Sequence, residues 1–432
     1  MSYQELSEQA GALRKEKKFE EALPVFEALF EQHRDLCDEF DWWGYAQSLL
    51  KLDMYERALQ YAREGLLKYK GSPYLTTVYT WSLYHVRVKP ERVNDRDLFF
   101  NAANAIVRLS APDNKYSPLP DTVFRVVELL EEEYTPDYPD ILTWLRKLDP
   151  AALDRQSFSF TNEEGKNIVL ASDYEKYHAL LVKALQESGD YEGCIFTATF
   201  ILNEIGNFHY DNDLWITRQK ALALRRLARF DESLGLYLQI LIRKHDWFLK
   251  MELAELYEEM RAWEKALIVA LDAADDPGVN KMKVGLFMLI ARVFLTLGKT
   301  REALVHARLV IALREKEGWG SDRDAEEMVS AHSADETIPE DYGALLNLAR
   351  IIWAENQPKA PVYKGKISKI LPHGRSGFIE CEDGNSYYFS VSDFNGGGKE
   401  AAENLGVTFV LVDSYDRAKQ KPTVKAAEVK PL

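Results

Sequence analysis

The sequence predicts a mostly α-helical protein in which an α-solenoid of paired helices precedes a small, all-β, five-stranded barrel. A short pattern with a small residue at a fixed position recurs over the first 315 residues, and strand-like alternation replaces it after residue 362. The charge changes at the same place. The 432-residue chain carries a net charge of −15, residues 363–432 carry +1, and the first 362 therefore carry −16.

The recurring pattern predicts pairs of helices joined by tight turns. Its small residue lies at Ala22, Ala58, Cys194, Ser233, Ala266 and Ala303. Twelve residues earlier lie Ala10, Ala46, Val182, Ala221, Ala254 and Ala291, where only valine departs from small size. Two helices can cross closely only where side chains are small. The spacing therefore predicts helix–turn–helix units over residues 3–72 and 175–315.

These units resemble the tetratricopeptide repeat (TPR), a pair of helices with a 34-residue period. One copy of its pattern is matched by Trp42, Tyr45, Ala46, Leu49, Ala58 and Ala62, and another by Phe287, Ile290, Ala291, Phe294, Ala303 and Ala307. The resemblance implies a right-handed α-solenoid, which we expect over residues 1–355. It also implies a binding surface for a protein partner or for another copy of the chain.

Two stretches of the predicted solenoid depart from the repeat pattern. Residues 73–174 keep helical periodicity, but five prolines divide them into short helices: Pro118, Pro120, Pro136, Pro139 and Pro150. We expect divergent repeats here, with a separate helical insert as the alternative. The acidic run 322–341 predicts a loop or weak helix, and residues 340–353 predict a terminal helix that covers the last apolar face.

A short linker and a small β domain complete the predicted chain. Residues 356–362 contain two prolines and predict a stiff linker. Alternation with a period of two then appears at 366–370, 378–381, 387–391 and 407–412. Turns rich in Gly, Asp and Asn separate these segments, so residues 363–432 predict a five-stranded barrel.

The barrel segment resembles a cold-shock domain of the oligonucleotide-binding (OB) type. The resemblance rests on Gly365-Lys-Ile-Ser-Lys-Ile, Ser376-Gly-Phe-Ile-Glu-Cys-Glu-Asp-Gly and Tyr387-Tyr-Phe-Ser-Val-Ser. It implies that Phe378 and Tyr388 stack on unpaired bases, because a ring face accepts any base. Other aromatic positions of the family hold Ser376, Ser390 and Lys369 here, so the stacking surface is reduced.

Cations accompany the two rings and predict contacts with phosphate. The predicted nucleic-acid site comprises Lys366, Lys369, His373, Arg375, Phe378 and Tyr388, with Lys364, Lys425, Lys430 and the tail 417–421 nearby. The partner is single-stranded RNA or DNA, with RNA favoured because most cytoplasmic single strands are RNA. The alternative is a solvated rim on a barrel that contacts protein.

A second candidate surface lies on the first helices of the later repeats. It comprises Trp215, Arg218, Arg225 and Arg226 on one repeat and Glu255 and Glu259 on the next, with Glu252 and Glu258 alongside. One interpretation is a peptide-binding groove with opposite charges on its two sides and Trp215 as its anchor. The alternative is that these arginines and glutamates pair with each other between stacked helices.

Motifs for catalysis, metals and membranes are missing from the sequence. Cys37, Cys194 and Cys381 lie far apart, which indicates a reducing cytoplasm and argues against disulfides or a zinc site. The start of the chain does not resemble a secretory signal, and no apolar run approaches about 20 residues. Gly298-Lys-Thr300 resembles the end of a phosphate loop, but position 293 is Val and no strand precedes it.

The sequence as a whole predicts a non-enzymatic cytoplasmic adaptor without a cofactor or metal. Its solenoid would hold a protein, and its barrel would touch single-stranded nucleic acid. The alternative function is a protein-only scaffold or accessory subunit, for example of a bacterial stress or defence system, whose barrel contacts protein.

Overall fold

The computed structural model describes residues 1–111, 113, 116–162, 164–332, 337–357, 361–381, 384–395, 400–416 and 421–432. The chain forms two compact units, Met1–Leu227 (unit 1) and Ala228–Leu432 (unit 2). Both contain TPR-like helices, and unit 2 ends in a closed barrel, so the predicted fold class is confirmed. Residues 358–360 of the predicted linker and 417–420 of the basic tail lie outside the described residues.

Unit 1 contains eleven helices within its described residues. They are α1 (Tyr3–Lys15), α2 (Phe19–His33), α3 (Glu39–Lys51), α4 (Tyr55–Lys68), α5 (Pro73–Leu83), α6 (Arg96–Leu109), α7 (Leu119–Glu131), α8 (Tyr138–Leu145), α9 (Asp173–Glu187), α10 (Tyr191–Glu204) and α11 (Asn212–Arg226). A π-helical turn, Tyr84–Val88, follows α5, and a 3₁₀ turn, Pro150–Ala152, follows α8.

Unit 2 begins with a further run of helices. They are α12 (Phe230–Arg243), α13 (Trp247–Glu259), α14 (Trp263–Asp275), α15 (Val284–Thr296), α16 (Thr300–Lys316), α17 (Arg323–His332) and α18 (Tyr342–Asn356). Helix α17 lies where the sequence predicted a loop or weak helix, and α18 is the predicted terminal helix. Trp353 of α18 stacks on Phe287 of α15 with ring centroids 5.9 Å apart. None of the described helices is long and apolar enough to cross a membrane.

The repeat pattern correctly located buried positions of the paired helices. All twelve residues of the pattern are fully buried, from Ala10 to Ala303. Each of the six turns also contains one residue in the left-handed conformation, always five positions before the second small residue. These residues are Lys17, Asp53, Gly189, Ala228, Arg261 and Gly298, with φ between 56° and 88°.

Residues 73–174 contain the expected short helices and also a β-hairpin that the sequence analysis did not predict. Strand β1 (Phe158–Thr161) pairs antiparallel with β2 (Asn167–Leu170), and Phe158 lies opposite Leu170. Gly165, with a φ of 76°, lies in the connecting turn. Alternating phenylalanines in β1 and the β-branched pair in β2 favour strands, but runs of four residues are too short for periodicity to be decisive.

The barrel consists of β3 (Val362–Ile370), β4 (Ser376–Cys381), β5 (Ser386–Ser390), β6 (Gly406–Asp416) and β7 (Lys421–Pro431). The strand order around it is β3-β4-β5-β7-β6, and β5–β7 is the parallel pair. Its core includes Ile367, Ile379, Phe389 and Phe409. A Cβ at position 377 would lie 2.4 Å from the Lys369 carbonyl oxygen, so β3 and β4 approach closely only because residue 377 is glycine.

Candidate nucleic-acid interface

The two predicted stacking rings lie opposite each other on neighbouring strands. Phe378 of β4 pairs with Tyr388 of β5, and their ring centroids are 5.9 Å apart at an interplanar angle of 76°. Tyr388 is 43% exposed and Phe378 is half-buried, whereas Ile379 and Phe389 fill the core. Alternation along each strand therefore turns both rings outward, as the sequence predicted. We call this pair the ring face.

An irregularity in β3 places Lys369 beside the ring face. The β3–β4 register shifts between Ile367 and Lys369, and the shift makes Lys369 the cross-strand partner of Phe378. The Ser368 hydroxyl donates to the Phe378 carbonyl oxygen at 3.2 Å. Because a bulge re-aims the side chains that follow it, the exposed ammonium of Lys369 can lie next to a base stacked on Phe378.

Lys366 has a different environment from Lys369. Its cross-strand partner is the exposed Glu380, whose carboxylate offsets part of its charge. Even so, Lys364, Lys366, Lys369 and Arg375 form no ion pair with any carboxylate of the described residues. Two cations of the predicted periphery do form such pairs: Lys425 lies 2.9 Å from Asp393, and Lys430 lies 3.9 Å from Glu428.

His373 and Arg375 lie in the tight loop between β3 and β4. The Arg375 backbone N–H donates to His373 Nδ1 at 3.1 Å, so in the neutral ring Nε2 carries the proton. That nitrogen lies 3.5 Å from the Ser376 hydroxyl oxygen. The loop leads directly into the strand that carries Phe378, and it brings both predicted residues to the end of the ring face.

Serines occupy two of the positions where the resemblance implied further rings, Ser376 and Ser390. Ser376 is 2% exposed, and the Ser390 and Ser392 hydroxyl oxygens are hydrogen-bonded to each other at 2.7 Å. Serine side chains cannot stack on a base. The ring face therefore offers two stacking partners.

The predicted groove of the later repeats is divided between the two units. Trp215, Arg218, Arg225 and Arg226 belong to α11 of unit 1, and Glu255 and Glu259 belong to α13 of unit 2. Their joint role as a groove stays a prediction. Within unit 2, Glu258 accepts hydrogen bonds from Arg292 Nε at 3.1 Å and Arg292 Nη2 at 3.0 Å, which is pairing between neighbouring helices.

Titratable side chains elsewhere in the described residues form no cluster that could hold a metal ion. No group of three or more His, Cys, Asp or Glu side chains there is arranged to hold a metal ion. A cavity of about 400 Å³ is bordered by Arg155, Glu175, Glu204 and His209. Arg155 forms an ion pair with Glu204, and His209 Nδ1 lies 2.7 Å from the Glu175 carboxylate, so both carboxylates that border this cavity already have a partner.

Comparisons with known proteins found a matching family model and several similar solved structures. No curated protein matches the chain. A family model described as "Domain of unknown function (DUF7017)" matches residues 214–345. The fold defines the class as a TPR-like protein with a C-terminal five-stranded barrel.

Three solved structures illustrate the similarity. TTC0263, a thermophilic TPR protein of Thermus thermophilus, is 14% identical with a TM-score of 0.21, and the match covers 68% of this chain and 100% of that one. A tetratricopeptide repeat protein from Parabacteroides merdae ATCC 43184 is 11% identical with a TM-score of 0.26, covering 77% and 98%. The human IFIT1 dimer with PPP-AAAA is 14% identical with a TM-score of 0.38, covering 80% of each chain.

Proposed function

We propose that this protein is a non-catalytic adaptor whose barrel binds single-stranded nucleic acid, RNA in the first place, and whose helical repeats bind a protein partner. The observation that carries the proposal is the ring face, in which Phe378 and Tyr388 lie in register on the barrel exterior beside Lys369. Stacking on each ring contributes about 1–3 kcal/mol per base and tolerates any sequence.

The topology of the barrel supports its assignment as an OB-type domain. Five strands close as a Greek key, with β5 and β7 parallel. OB domains bind oligonucleotides with the face of their second and third strands and with the loop between the first and second. In this barrel those elements are β4, β5 and the loop that holds His373 and Arg375.

The charge distribution supports a division of labour between the two parts. The first 362 residues carry −16, which repels phosphate, whereas residues 363–432 carry +1 and hold the unpaired cations of the barrel. Two rings give weak affinity alone. A partner held by the repeats would raise the effective concentration of RNA at the barrel and make weak binding sufficient.

RNA rather than DNA, and the cytoplasm as the compartment, are parts of the same proposal. Cys37, Cys194 and Cys381 are buried and form no disulfide within the described residues, which fits a reducing environment. Single strands in the cytoplasm are mostly RNA, so RNA is the expected ligand. A DNA oligonucleotide of the same sequence serves as the comparison.

The test measures fluorescence anisotropy of a labelled single-stranded RNA of about 12 nucleotides, within the site size of one OB fold, titrated with the full chain at two salt concentrations. We expect the double variant Phe378→Ala with Tyr388→Ala to lose about 30-fold in affinity or more, since two stacking contacts disappear. The matched control is Tyr134→Ala, which removes a fully exposed ring from unit 1. Binding that is undetectable at low salt, or equal in the double variant, would contradict the proposal.

The salt dependence separates phosphate contacts from stacking. Lys366→Ala with Lys369→Ala should reduce the slope of log affinity against log salt by about 1.4, because each phosphate contact on a single strand contributes about 0.7. The ring variant should keep the wild-type slope. If neither double variant changes RNA binding, the barrel is a protein-contact domain, as in the scaffold alternative.

A further inference from the structure

Exposed aromatic side chains line neighbouring helices of the first repeats, far in sequence from the predicted groove. Phe40 and Trp43 lie on α3, and Tyr74 lies on α5. Their ring centroids are 5.8 Å apart for Phe40–Tyr74 and 4.9 Å for Trp43–Tyr74. Phe40 is 57% exposed and Tyr74 is 46% exposed, although aromatic rings ordinarily pack in the core.

The same face continues two helical turns further along both helices. Leu50 follows Trp43 by seven residues and Trp81 follows Tyr74 by seven, a rise of about 10 Å. There they border a cavity of about 300 Å³ together with Lys51, Asp53, Tyr55 and His85. His85 lies in the π-helical turn after α5 and stacks on Tyr55 with centroids 4.1 Å apart. π-Turns often occur at functional sites.

Two cations on this face have no carboxylate partner. The Arg14 guanidinium lies 4.1 Å from the centroid of the Trp43 ring, and its Nη1 donates to Gln47 Oε1 at 2.9 Å. Lys51 is exposed at the other end. Neither forms an ion pair within the described residues. Burial lowers the pKa of Arg14. We call Phe40, Trp43, Tyr74, Trp81, Arg14 and Lys51 the aromatic strip.

We propose that the aromatic strip is a docking site for an acidic protein segment with two large apolar side chains about 10 Å apart. One apolar side chain packs on Phe40 and Tyr74, and the other enters the cavity beside Trp81. Carboxylates of the segment pair with Arg14 and Lys51, whose fixed positive charges are complementary to them. Two helical turns or one turn of polyproline II helix give this spacing.

The arrangement favours a protein segment over nucleic acid. Arg14 already covers a face of the Trp43 ring, and the rings of Phe40, Trp43 and Tyr74 pack against each other. Open faces for base stacking are therefore scarce. Glu39, one turn before Trp43, carries a negative charge, so the carboxylates of a bound segment are expected to lie away from this residue.

This inference rests on the protein-binding half of the proposed function but locates it on helices other than α11 and α13. The test selects binders to the immobilised full chain from a random peptide library and then measures the affinity of individual enriched peptides. Peptides of about 12 residues can span the 10 Å between the two apolar positions and leave room on either side. We expect the enriched peptides to carry net negative charge and two large apolar residues. Their affinity should fall at least about tenfold in Tyr74→Ala and in Arg14→Gln, since ring and arginine contacts dominate such interfaces.

The matched control is Phe196→Ala, which removes a 76% exposed ring from α10 of the same unit and should leave the affinity unchanged. Far-UV circular dichroism confirms that the variants fold. Enrichment of basic peptides, no enrichment, or affinities insensitive to Tyr74→Ala and Arg14→Gln would overturn the aromatic strip. Peptide binding that Trp215→Ala abolishes would refute the strip while keeping the proposed function, and reduced RNA binding in Tyr74→Ala would assign the strip to RNA instead.

Discussion

Both units contain buried polar side chains that hydrogen-bond to neighbouring segments, but these side chains are of different kinds. In unit 1, the Glu175 carboxylate accepts from the His209 backbone N–H at 2.8 Å, His209 Nδ1 at 2.7 Å and Asn212 Nδ2 at 2.8 Å. In unit 2, the corresponding buried polar groups are a lysine, Lys283, and a histidine, His306, both fully buried.

The difference lies in access to water. Glu175 is only 2% exposed, but it borders the cavity of about 400 Å³ together with His209, whose side chain is 24% exposed, so water in the cavity can reach their hydrogen-bonding groups. Lys283 and His306 are instead 1% and 0% exposed. Removing a buried polar group destabilises a protein most when neither protein nor water can replace it as a hydrogen-bond partner. Loss of such a group should therefore lower the free energy of unfolding more in unit 2 than in unit 1.

The largest effect is expected from Lys283→Met. The Lys283 ammonium donates to the carbonyl oxygens of Ala273 at 3.2 Å, Ala274 at 3.0 Å and Asp276 at 2.5 Å, at the C-terminus of α14. Methionine fills the space but leaves these acceptors unsatisfied, which should lower the free energy of unfolding by about 4 kcal/mol. Urea denaturation measures the loss, and hydrogen exchange should place it at α14 and α15.

Lys281→Met is the control for this substitution, because Lys281 is exposed and its ion pair with Glu317 is a surface contact of 3.5 Å. It should change the unfolding free energy by less than about 0.5 kcal/mol. Equal losses in the two variants would show that the buried ammonium does not stabilise unit 2.

His306 should make unit 2 sensitive to acid. Its Nδ1 donates to the Glu302 carbonyl oxygen at 2.7 Å, and its Nε2 accepts from the Trp353 indole at 2.7 Å, so the ring is neutral. Burial lowers the pKa of His306 from 6.5 to about 4. On acidification the unfolded chain takes up this proton first, so stability falls between pH 6.5 and 4, by about 3 kcal/mol in total.

Denaturant midpoints measured from neutral pH down through the pKa of about 4 test this. His306→Gln can make both hydrogen bonds without titrating, so the pH profile of this variant should be flatter than that of the wild type by the predicted amount. Parallel profiles would show that His306 does not limit the acid stability of unit 2.

Glu175→Ala tests the hydrogen bonds that the buried Glu175 carboxylate accepts in unit 1. Three donors lose their acceptor, but water from the adjoining cavity can take its place, so we expect a loss of about 2 kcal/mol. Hydrogen exchange should increase at α9 and at the start of α11. Glu175→Gln keeps one carbonyl oxygen and should lose less. A loss equal to that of Lys283→Met would contradict the role assigned to water access.

The sequence predicted the features that depend on periodicity. Small residues such as Ala22 and Ala266 marked buried positions of the paired helices, and alternation around Ile379 marked the outward direction of Phe378 and Tyr388. Features that depend on a single backbone irregularity could not be predicted. The bulge that carries Lys369 to Phe378 has no glycine of its own, and the hairpin at residues 158–170 has strands of only four residues.

The aromatic strip and the predicted groove show the same limit for the sites. Phe40 and Tyr74 are 34 residues apart, and each alone resembles an ordinary helix residue. Because 34 residues is the period of the repeat, this spacing places them on the first helices of successive repeats. That spacing was the signal from which the aromatic strip could have been predicted. The groove prediction relied instead on charge patterns, and these fall on helices of two separate units.

The smallest predicted effect concerns the inter-helix turns. Arg261 occupies the left-handed position of the α13–α14 turn with a φ of 57°, and glycine occupies it in the α15–α16 turn as Gly298, with a φ of 75°. A side chain there costs about 1–2 kcal/mol of strain, and glycine costs about 0.5–1 kcal/mol of chain entropy. Arg261→Gly should therefore raise the free energy of unfolding by about 0.5 kcal/mol.

The reciprocal variant Gly298→Ala should lower the free energy of unfolding by a similar or larger amount. Apart from residue 298 itself and its two chain neighbours, no atom lies within 4 Å of the added Cβ, so no new contact offsets the backbone strain. Thermal unfolding of the two variants side by side measures both signs, and a loss of stability in Arg261→Gly would mean that the exposed arginine makes a contact that outweighs the strain of its backbone.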